Sequence, residues 1–192
     1  MRLIVLAAGQ GSRLGGLTEG RPKALVPLAG RPLLEWTLAA AVEAGLDDTV
    51  VVGGYGIDHL RAYPVTLLEN PDYATTNMVQ SLAVAEPRWG DGFVMRYGDI
   101  AYGPEVLAAL LASPAPIACA VDLAWRAYWE ARFEDPLADA ETLRLGPDGT
   151  IATLGGRPGS LDEIEGQYIG LVAFRAAGVE ALRATWRRAL DD

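Results

Sequence analysis

The sequence predicts an α/β fold with a Rossmann-like, mostly parallel mixed sheet flanked by helices, and three observations support this. Short apolar runs typical of buried strands alternate with helical stretches up to about residue 121. Glycines follow the first apolar run directly. The composition, 51% hydrophobic and 21% charged, is that of a globular domain able to bury a full core.

The first half of the chain carries the alternating elements. Residues 2–8 form a strand buried on both faces. Pro32 suits the first turn of a helix, and Gly45 suits its end. The elements predicted after this helix are, in order, a strand over 49–53, a helix over 58–63, a strand over 65–68, a helix over 78–85, a strand over 93–97, a helix over 104–112 and a strand over 117–121.

After residue 121 the alternation ends. Asp122 suits the N-cap of a helix that runs to about residue 134. A Pro-Asp-Gly turn at 147–149 predicts a hairpin between strands over 142–145 and 150–154. A strand over 168–174 and a helix over 179–190 complete the pattern. We therefore expect a single domain over 1–192, divided into a core of about 1–121 and a smaller part of about 122–192.

Charge and cysteine content exclude several classes of function. A net charge of −9 repels nucleic-acid backbones and anionic membranes. The apolar run over 3–8 is too short for a membrane span or a signal peptide, so we expect a cytoplasmic protein. Cys119, the one cysteine, lies in an apolar run and suits packing. The one histidine, His59, carries no predicted catalytic role.

A glycine-rich loop follows the first strand. Gly9 and Gly11 let the backbone approach a polyphosphate, and Arg13 and Lys23 supply cations for it. The loop lacks the Gly-Lys-Ser/Thr end of a P-loop. The second strand ends in Gly53-Gly54, where a dinucleotide site has an acidic residue. The loop is therefore a phosphate site of another class, and a dinucleotide-dependent dehydrogenase is disfavoured.

Further motifs accompany this loop. They comprise Pro22–Glu35, residues 70–73, residues 76–82 and Tyr97-Gly98-Asp99-Ile100. Together with Leu6–Leu14 they resemble the signature of sugar-phosphate and phosphocholine nucleotidyltransferases over nearly the whole chain. The resemblance implies the nucleotide-diphospho-sugar transferase type of fold, with a small acceptor-binding insertion. The chain is closest in character to the phosphocholine-cytidylyltransferase-like branch, whose acceptors are phosphocholine, aminoethylphosphonate and phosphorylated amino acids.

The resemblance also implies a mechanism. An acceptor phosphate oxygen attacks the α-phosphorus of a nucleoside triphosphate, CTP by branch analogy, and pyrophosphate leaves. Arg13 and Lys23 would steady the triphosphate, and Asp99 would bind Mg²⁺. Both the glycine loop and Asp99 follow predicted strands, whose carboxyl ends meet at one edge of such a sheet. The residues that the resemblance assigns to the nucleotide are Ala7, Ala8, Gly9, Gly11, Gln80 and Ser81.

The acceptor, a small phosphorylated metabolite, is less defined by the sequence. Trp125, Tyr128 and Trp129 share one helical face, which suits core packing, a homodimer contact or the wall of a pocket for an ammonium group. Asp122 and Glu141 add carboxylates. The resemblance to the family implies that Arg157 contacts the phosphate of the acceptor. It also implies that Tyr168 lies on a strand that lines the acceptor site.

Two alternatives stay open at this point. One is a sugar-1-phosphate nucleotidyltransferase, and the other is a nucleotide-binding protein with impaired catalysis. Members of the family generally continue past the last helix into a strand that ends in a second metal-binding aspartate. The sequence printed here ends at Asp191-Asp192 and does not identify that ligand.

Overall fold

Strands and helices alternate along most of the chain. The computed structural model describes residues 1–18 and 20–191, without the side chains of residues 12–14, 190 and 191. The strands are β1 (Arg2–Ala7), β2 (Pro27–Leu28), β3 (Arg31–Pro32), β4 (Thr49–Gly53), β5 (Thr66–Glu69), β6 (Gly92–Tyr97), β7 (Ile117–Asp122), β8 (Leu143–Leu145), β9 (Ile151–Leu154) and β10 (Gln167–Arg175). The helices are α1 (Leu33–Glu43), α2 (Met78–Val84), α3 (Pro104–Ala112), α4 (Trp125–Arg132) and α5 (Ala176–Asp191).

A six-stranded sheet has the order β5-β4-β1-β6-β10-β7. β1 pairs in parallel with β4 and β6, and β4 pairs in parallel with β5. β10 pairs antiparallel with β6. Leu3, Ile4 and Val5 of β1 have no exposed surface, as expected for a central parallel strand covered on both faces. The prediction of a mostly parallel α/β sheet flanked by helices is confirmed.

The chain divides into two compact units, and the boundary differs from the one expected. Unit 1 comprises Met1–Ala118 and Gly170–Asp192, and unit 2 comprises Cys119–Ile169. The sequence pattern had grouped residues 122–192 together. The end of the chain belongs with unit 1 because β10, from Leu171 onward, pairs with β6. No helix in the described part of the chain is long and apolar enough to cross a membrane.

Several local predictions were wrong in their details. Helix α4 begins at Trp125, because Asp122 instead ends β7 and its Oδ1 accepts a hydrogen bond from the Ala124 amide at 2.8 Å. The helix predicted over 58–63 is a 3₁₀ helix, Ile57–Ala62. The β2–β3 ribbon was not predicted. Its two-residue turn has positive φ at both Ala29 (51°) and Gly30 (79°), as a tight hairpin requires.

Unit 2 is built around a small apolar core. Trp125, Ala140 and Ile164 are buried together, and Trp129, Leu137 and Leu161 pack against them. The predicted hairpin is present as β8 and β9, which pair antiparallel with an irregularity between Arg144 and Leu145. The core of this unit therefore uses the aromatic face of α4.

Candidate active site

A cleft of about 390 Å³ opens in unit 1, where β1 and β6 end. This is the edge at which ligands bind in open α/β sheets. The cleft brings together, from distant parts of the sequence, most of the residues predicted for the nucleotide and the metal. Its described lining is Leu6, Ala7, Ala8, Gly9, Gly11, Lys23, Ala24, Tyr73, Thr76, Asn77, Met78, Ser81, Tyr97, Gly98 and Asp99.

The glycine loop forms the floor of the cleft. Gly11 has a φ of 68°, and a Cβ there would lie 3.1 Å from Lys23 Cβ and 3.2 Å from Thr18 Cγ2. A side chain at this position would therefore be both strained and crowded. Thr18 is 4% exposed, and its Oγ1 lies 3.2 Å from the Gly11 carbonyl and 3.1 Å from the Gly15 carbonyl. Thr18 holds the loop closed, a role that sequence reasoning missed.

Two opposite charges meet beside this loop. Lys23 Nζ donates a hydrogen bond to Asp99 Oδ2, and the side chains are 28% and 31% exposed. Lys23 begins a short 3₁₀ turn directly after Pro22, and Asp99 follows β6. The side chain of Arg13, the other predicted catalytic cation, lies outside the described residues. The pair combines a cation for phosphate with an oxygen ligand for a hard metal.

Buried contacts support the turn that carries Asp99. Gly98 donates its N–H to the Leu6 carbonyl at 2.8 Å, and a Cβ on Gly98 would lie 2.9 Å from the same oxygen. Arg96 is 1% exposed and donates to the Ile100 carbonyl and to Thr37 Oγ1. Burial lowers the pKa of Arg96 from its ordinary value. These bonds fix the backbone on either side of Asp99.

Helix α2 forms the opposite wall. Asn77 caps the helix, since its Oδ1 accepts a hydrogen bond from the Val79 amide at 2.9 Å. Ser81 is 4% exposed and lines the cleft. Gln80, which was also predicted for the nucleotide, is not part of the cleft lining that the structure describes, and its role stays a prediction. Neighbouring positions on a helix point about 100° apart, so the face that presents Ser81 turns Gln80 away.

Glycine also makes room for an aromatic ring in the cleft. A Cβ on Gly54 would lie 2.6 Å from Tyr73 Cβ and 2.9 Å from the Ala8 carbonyl oxygen. Only glycine at 54 therefore allows Tyr73 to pack beside the first loop. Gly54, one of the two glycines that disfavour a dinucleotide site, thus has a positive role in shaping the cleft.

The predicted acceptor residues all lie in unit 2. Trp125 is 4% exposed in the unit's core, while Trp129 and Tyr168 are partly buried. Glu141 and Arg157 are exposed. Asp122 is half-buried at the end of β7. The structure gives Trp125 a packing role, and the acceptor roles of this set remain predictions.

Two further side chains of unit 2 have structural contacts that bear on the acceptor. Gln167, 4% exposed, donates to the Glu141 carbonyl at 2.7 Å and accepts from the Glu141 amide at 3.2 Å, so its amide group is occupied in holding that loop. The guanidinium of Arg132 lies 5.0 Å from the ring centroid of Tyr128 and 5.6 Å from that of Trp129. The chain's own cation therefore covers two of the three predicted aromatic rings.

Asp99 is the predicted ligand for Mg²⁺, and its side chain is 31% exposed in the cleft. The described residues contain no cluster of three or more His, Cys, Asp or Glu side chains suited to a metal ion. Mg²⁺ differs from most protein-bound metals in that one or two carboxylates hold it, together with waters and substrate phosphates. A partly exposed carboxylate on a polyphosphate-sized cleft fits that donor set.

Comparisons with known proteins identify the family of this chain. The model of the MobA-like NTP transferase domain matches residues 3–185. The CTP:phosphoglutamine cytidylyltransferase of Campylobacter jejuni is 36% identical over 185 residues, which cover 91% of this chain and 73% of that protein. The choline-phosphate cytidylyltransferase of Streptococcus pneumoniae is 36% identical over 99 residues, covering 50% of this chain and 43% of that protein.

A solved structure shows the same fold. The CTP:phosphocholine cytidylyltransferase from Streptococcus pneumoniae superposes with a TM-score of 0.67 at 22% identity, covering 98% of this chain and 78% of that one. The match to the domain model covers almost the full sequence. The chain therefore belongs to the family of MobA-like NTP transferase domains and is a nucleotidyltransferase.

Proposed function

We propose that this nucleotidyltransferase transfers a cytidylyl group from CTP to a small phosphate or phosphonate that carries a nitrogen group, with Mg²⁺ and with release of pyrophosphate. The observation that carries the proposal is the Lys23–Asp99 pair beside the glycine loop, at the ends of β1 and β6. Cation and carboxylate are placed together where a triphosphate would lie. A protein that only packed this edge of the sheet would have no need of both.

In the proposed reaction, an oxygen of the acceptor phosphate forms a bond to the α-phosphorus. The bond from that phosphorus to the bridging oxygen of the β-phosphate breaks, and pyrophosphate leaves with the electron pair. Lys23 neutralises charge on the triphosphate, and the backbone N–H groups around Gly9 and Gly11 face its oxygens. Asp99 would hold Mg²⁺, which when bound offsets phosphate charge and orients the phosphate oxygens. The chain's own contribution is positioning and electrostatic stabilisation.

The choice of CTP rests on two supports. The two relatives described above are named as cytidylyltransferases. In this chain, Ala7, Ala8 and Ser81 line the cleft with two small apolar groups and one hydroxyl, a surface on which a flat pyrimidine fits.

The acceptor class rests on the relatives' names and on unit 2. Both names specify a phosphate attached to a nitrogen-bearing small molecule, glutamine or choline. Tyr128 is 55% exposed and Trp129 is partly exposed, and the Arg132 guanidinium lies over both rings. If the Arg132 guanidinium moves aside, an ammonium group over these rings makes a cation–π contact of about 0.5–2 kcal/mol in its place. The side-chain amide of Gln167 could otherwise bind a sugar hydroxyl, but its hydrogen bonds go to the Glu141 backbone, which disfavours the sugar alternative.

The test is a pyrophosphate-release assay. Each of the four nucleoside triphosphates is supplied with and without Mg²⁺, and the acceptors are phosphocholine, phosphoglutamine, an aminoalkylphosphonate and glucose 1-phosphate. We expect CTP, Mg²⁺ and a nitrogen-bearing acceptor to be required together. Comparable turnover with all four triphosphates would contradict the choice of donor, and turnover with the sugar phosphate alone would contradict the choice of acceptor.

One variant tests the role of the aromatic rings in acceptor binding, and a second variant is its control. Trp129→Ala should raise the KM of the acceptor and leave the KM of CTP unchanged. Trp186→Ala, which removes a partly exposed indole from α5 in unit 1, is the matched control and should change neither constant. An unchanged acceptor KM in Trp129→Ala would remove the aromatic face from acceptor binding.

A further inference from the structure

The buried side-chain amide of Asn70 contacts two residues of the cleft wall without lining the cleft itself. Asn70 follows β5 and is 1% exposed. Its backbone N–H donates to the Gly53 carbonyl at 2.8 Å, which anchors it to the end of β4. Its side chain contacts the Asp72 amide, the Thr76 hydroxyl and the Ser81 hydroxyl. Thr76 and Ser81 both line the cleft, whereas Asn70 does not.

One of these contacts fixes which way the Asn70 amide points. The Asp72 backbone N–H is only a donor, and it lies 3.1 Å from Asn70 Oδ1. The oxygen must therefore face Asp72, which places Nδ2 against the two hydroxyls. Nδ2 donates to Ser81 Oγ at 3.0 Å and to Thr76 Oγ1 at 3.2 Å.

The two hydroxyls differ in what happens to their own protons. Thr76 donates to the Asp72 carbonyl at 2.8 Å, so it both accepts and donates within the protein. Ser81 accepts from Asn70, and among the described residues its proton is donated to no carbonyl or carboxylate. Because Ser81 is 4% exposed and its accessible side is the cleft, its proton is available to a ligand there.

We propose that Asn70 is a positioning residue that makes Ser81 a hydrogen-bond donor toward the cleft, so that Ser81 recognises an acceptor atom of the cytosine ring, O2 or N3. This inference rests on the proposed function, in which CTP is the donor substrate. Because Nδ2 donates to Ser81 Oγ, the hydroxyl proton cannot point at Asn70 and is left for a ligand in the cleft. A base that presented an amino group at this place would set two donors against each other and would be disfavoured.

The first experiment pairs a variant with modified nucleotides. Wild type and Ser81→Ala are assayed with CTP, with 2-thio-CTP, in which sulfur weakens the acceptor at position 2, and with 3-deaza-CTP, which lacks the acceptor at N3. We expect wild type to lose about three- to tenfold in kcat/KM with one analogue, the cost of one neutral hydrogen bond. Ser81→Ala should show that loss with CTP itself and little further loss with the same analogue. Additive losses with both analogues would overturn the inference.

The second experiment reverses the direction of the Ser81 hydrogen bond. Asn70→Asp leaves an oxygen for the Asp72 amide but replaces Nδ2 by an acceptor, so the Ser81 proton turns away from the cleft. We expect the KM for CTP to rise at least as much as in Ser81→Ala, with a smaller change in kcat. In the Ser81→Ala background, Asn70→Asp should raise the KM for CTP little further, because the group it acts through is gone. Equal effects of Asn70→Asp with and without Ser81 would show a general structural role and overturn the proposal.

Two controls keep the outcomes separate. Thr75→Val removes an exposed hydroxyl that neither lines the cleft nor contacts Asn70, and it should leave the CTP constants unchanged. Thermal unfolding of each variant identifies any loss due to misfolding, and the Ser81→Ala arm, a minimal truncation, decides the matter if Asn70→Asp does not fold. Wild type inactive with CTP would contradict the proposed function, whereas active wild type with no coupling between Ser81 and the analogues would contradict this inference alone.

Discussion

Removing either member of the Lys23–Asp99 pair should lower the turnover strongly while changing the melting temperature little. The two side chains are 28% and 31% exposed, so their ion pair is partly screened by water. Pairs of this kind contribute about 0.2–1 kcal/mol to folding. For a chain of this size, 1 kcal/mol corresponds to a shift in Tm of about 2–4 °C. Loss of one such group from a site that stabilises developing charge costs about 100-fold in rate.

The assay measures pyrophosphate release and thermal unfolding for Lys23→Ala and Asp99→Asn in parallel. We expect at least a tenfold loss of turnover in each variant, with Tm within a few degrees of wild type. Asp99→Asn should also raise the Mg²⁺ concentration needed for half-maximal activity, which Lys23→Ala should not. The matched control is Arg61→Ala, which breaks an exposed pair with Asp58 (2.9 Å) outside the cleft and should leave turnover unchanged. Near wild-type turnover in either cleft variant would refute the role of that residue.

Three further predictions concern backbone strain, packing and thiol chemistry. Ala29→Gly should raise Tm by a few degrees, because Ala29 has a φ of 51°, which costs a non-glycine residue about 1–2 kcal/mol; Gly30→Ala, at a φ of 79°, should lower it. Gly170→Ala should lower both Tm and CTP affinity, because a Cβ there would lie 2.3 Å from Tyr97 Cδ2, in the cleft wall. Burial raises the pKa of the Cys119 thiol, so the thiolate fraction at pH 8 is below that of a free cysteine. A thiol reagent should therefore react slowly with native protein and faster as the pH rises or in denaturant, and a native rate at pH 8 equal to that of free cysteine would contradict this.

The sequence was sufficient to predict the mostly parallel sheet and the meeting of Lys23 and Asp99 at its carboxyl edge. Central strands such as β1 are continuous apolar runs, and the glycines and Asp99 follow such runs directly. Because parallel strands end at the same edge, residues that are distant in the chain were expected to meet there, and Lys23 and Asp99 do.

The remaining features depend on contacts that a local pattern does not contain. Asn70 has no periodicity that marks it, and its importance lies in bonds to Ser81, eleven positions later in the sequence, and to Gly53, seventeen positions earlier. Gln80 and Ser81 are equally polar neighbours, and only the rotation of α2 decides which of them reaches the cleft. Trp125 fits a pocket wall as well as a core until Ala140 and Ile164 are seen to cover it.

The position of β10 in the sheet has a consequence for the nascent chain. β6 is synthesised before unit 2, but the part of β10 that pairs with β6, Leu171–Arg175, is synthesised only after unit 2. Until then the β6 edge displays unpaired backbone groups beside the apolar side chains of Phe93 and Val94. An open edge of this kind pairs readily with other chains. A nascent chain that pauses within unit 2 is therefore an aggregation-prone intermediate. We expect chaperones to bind the nascent chain most at this stage of its synthesis.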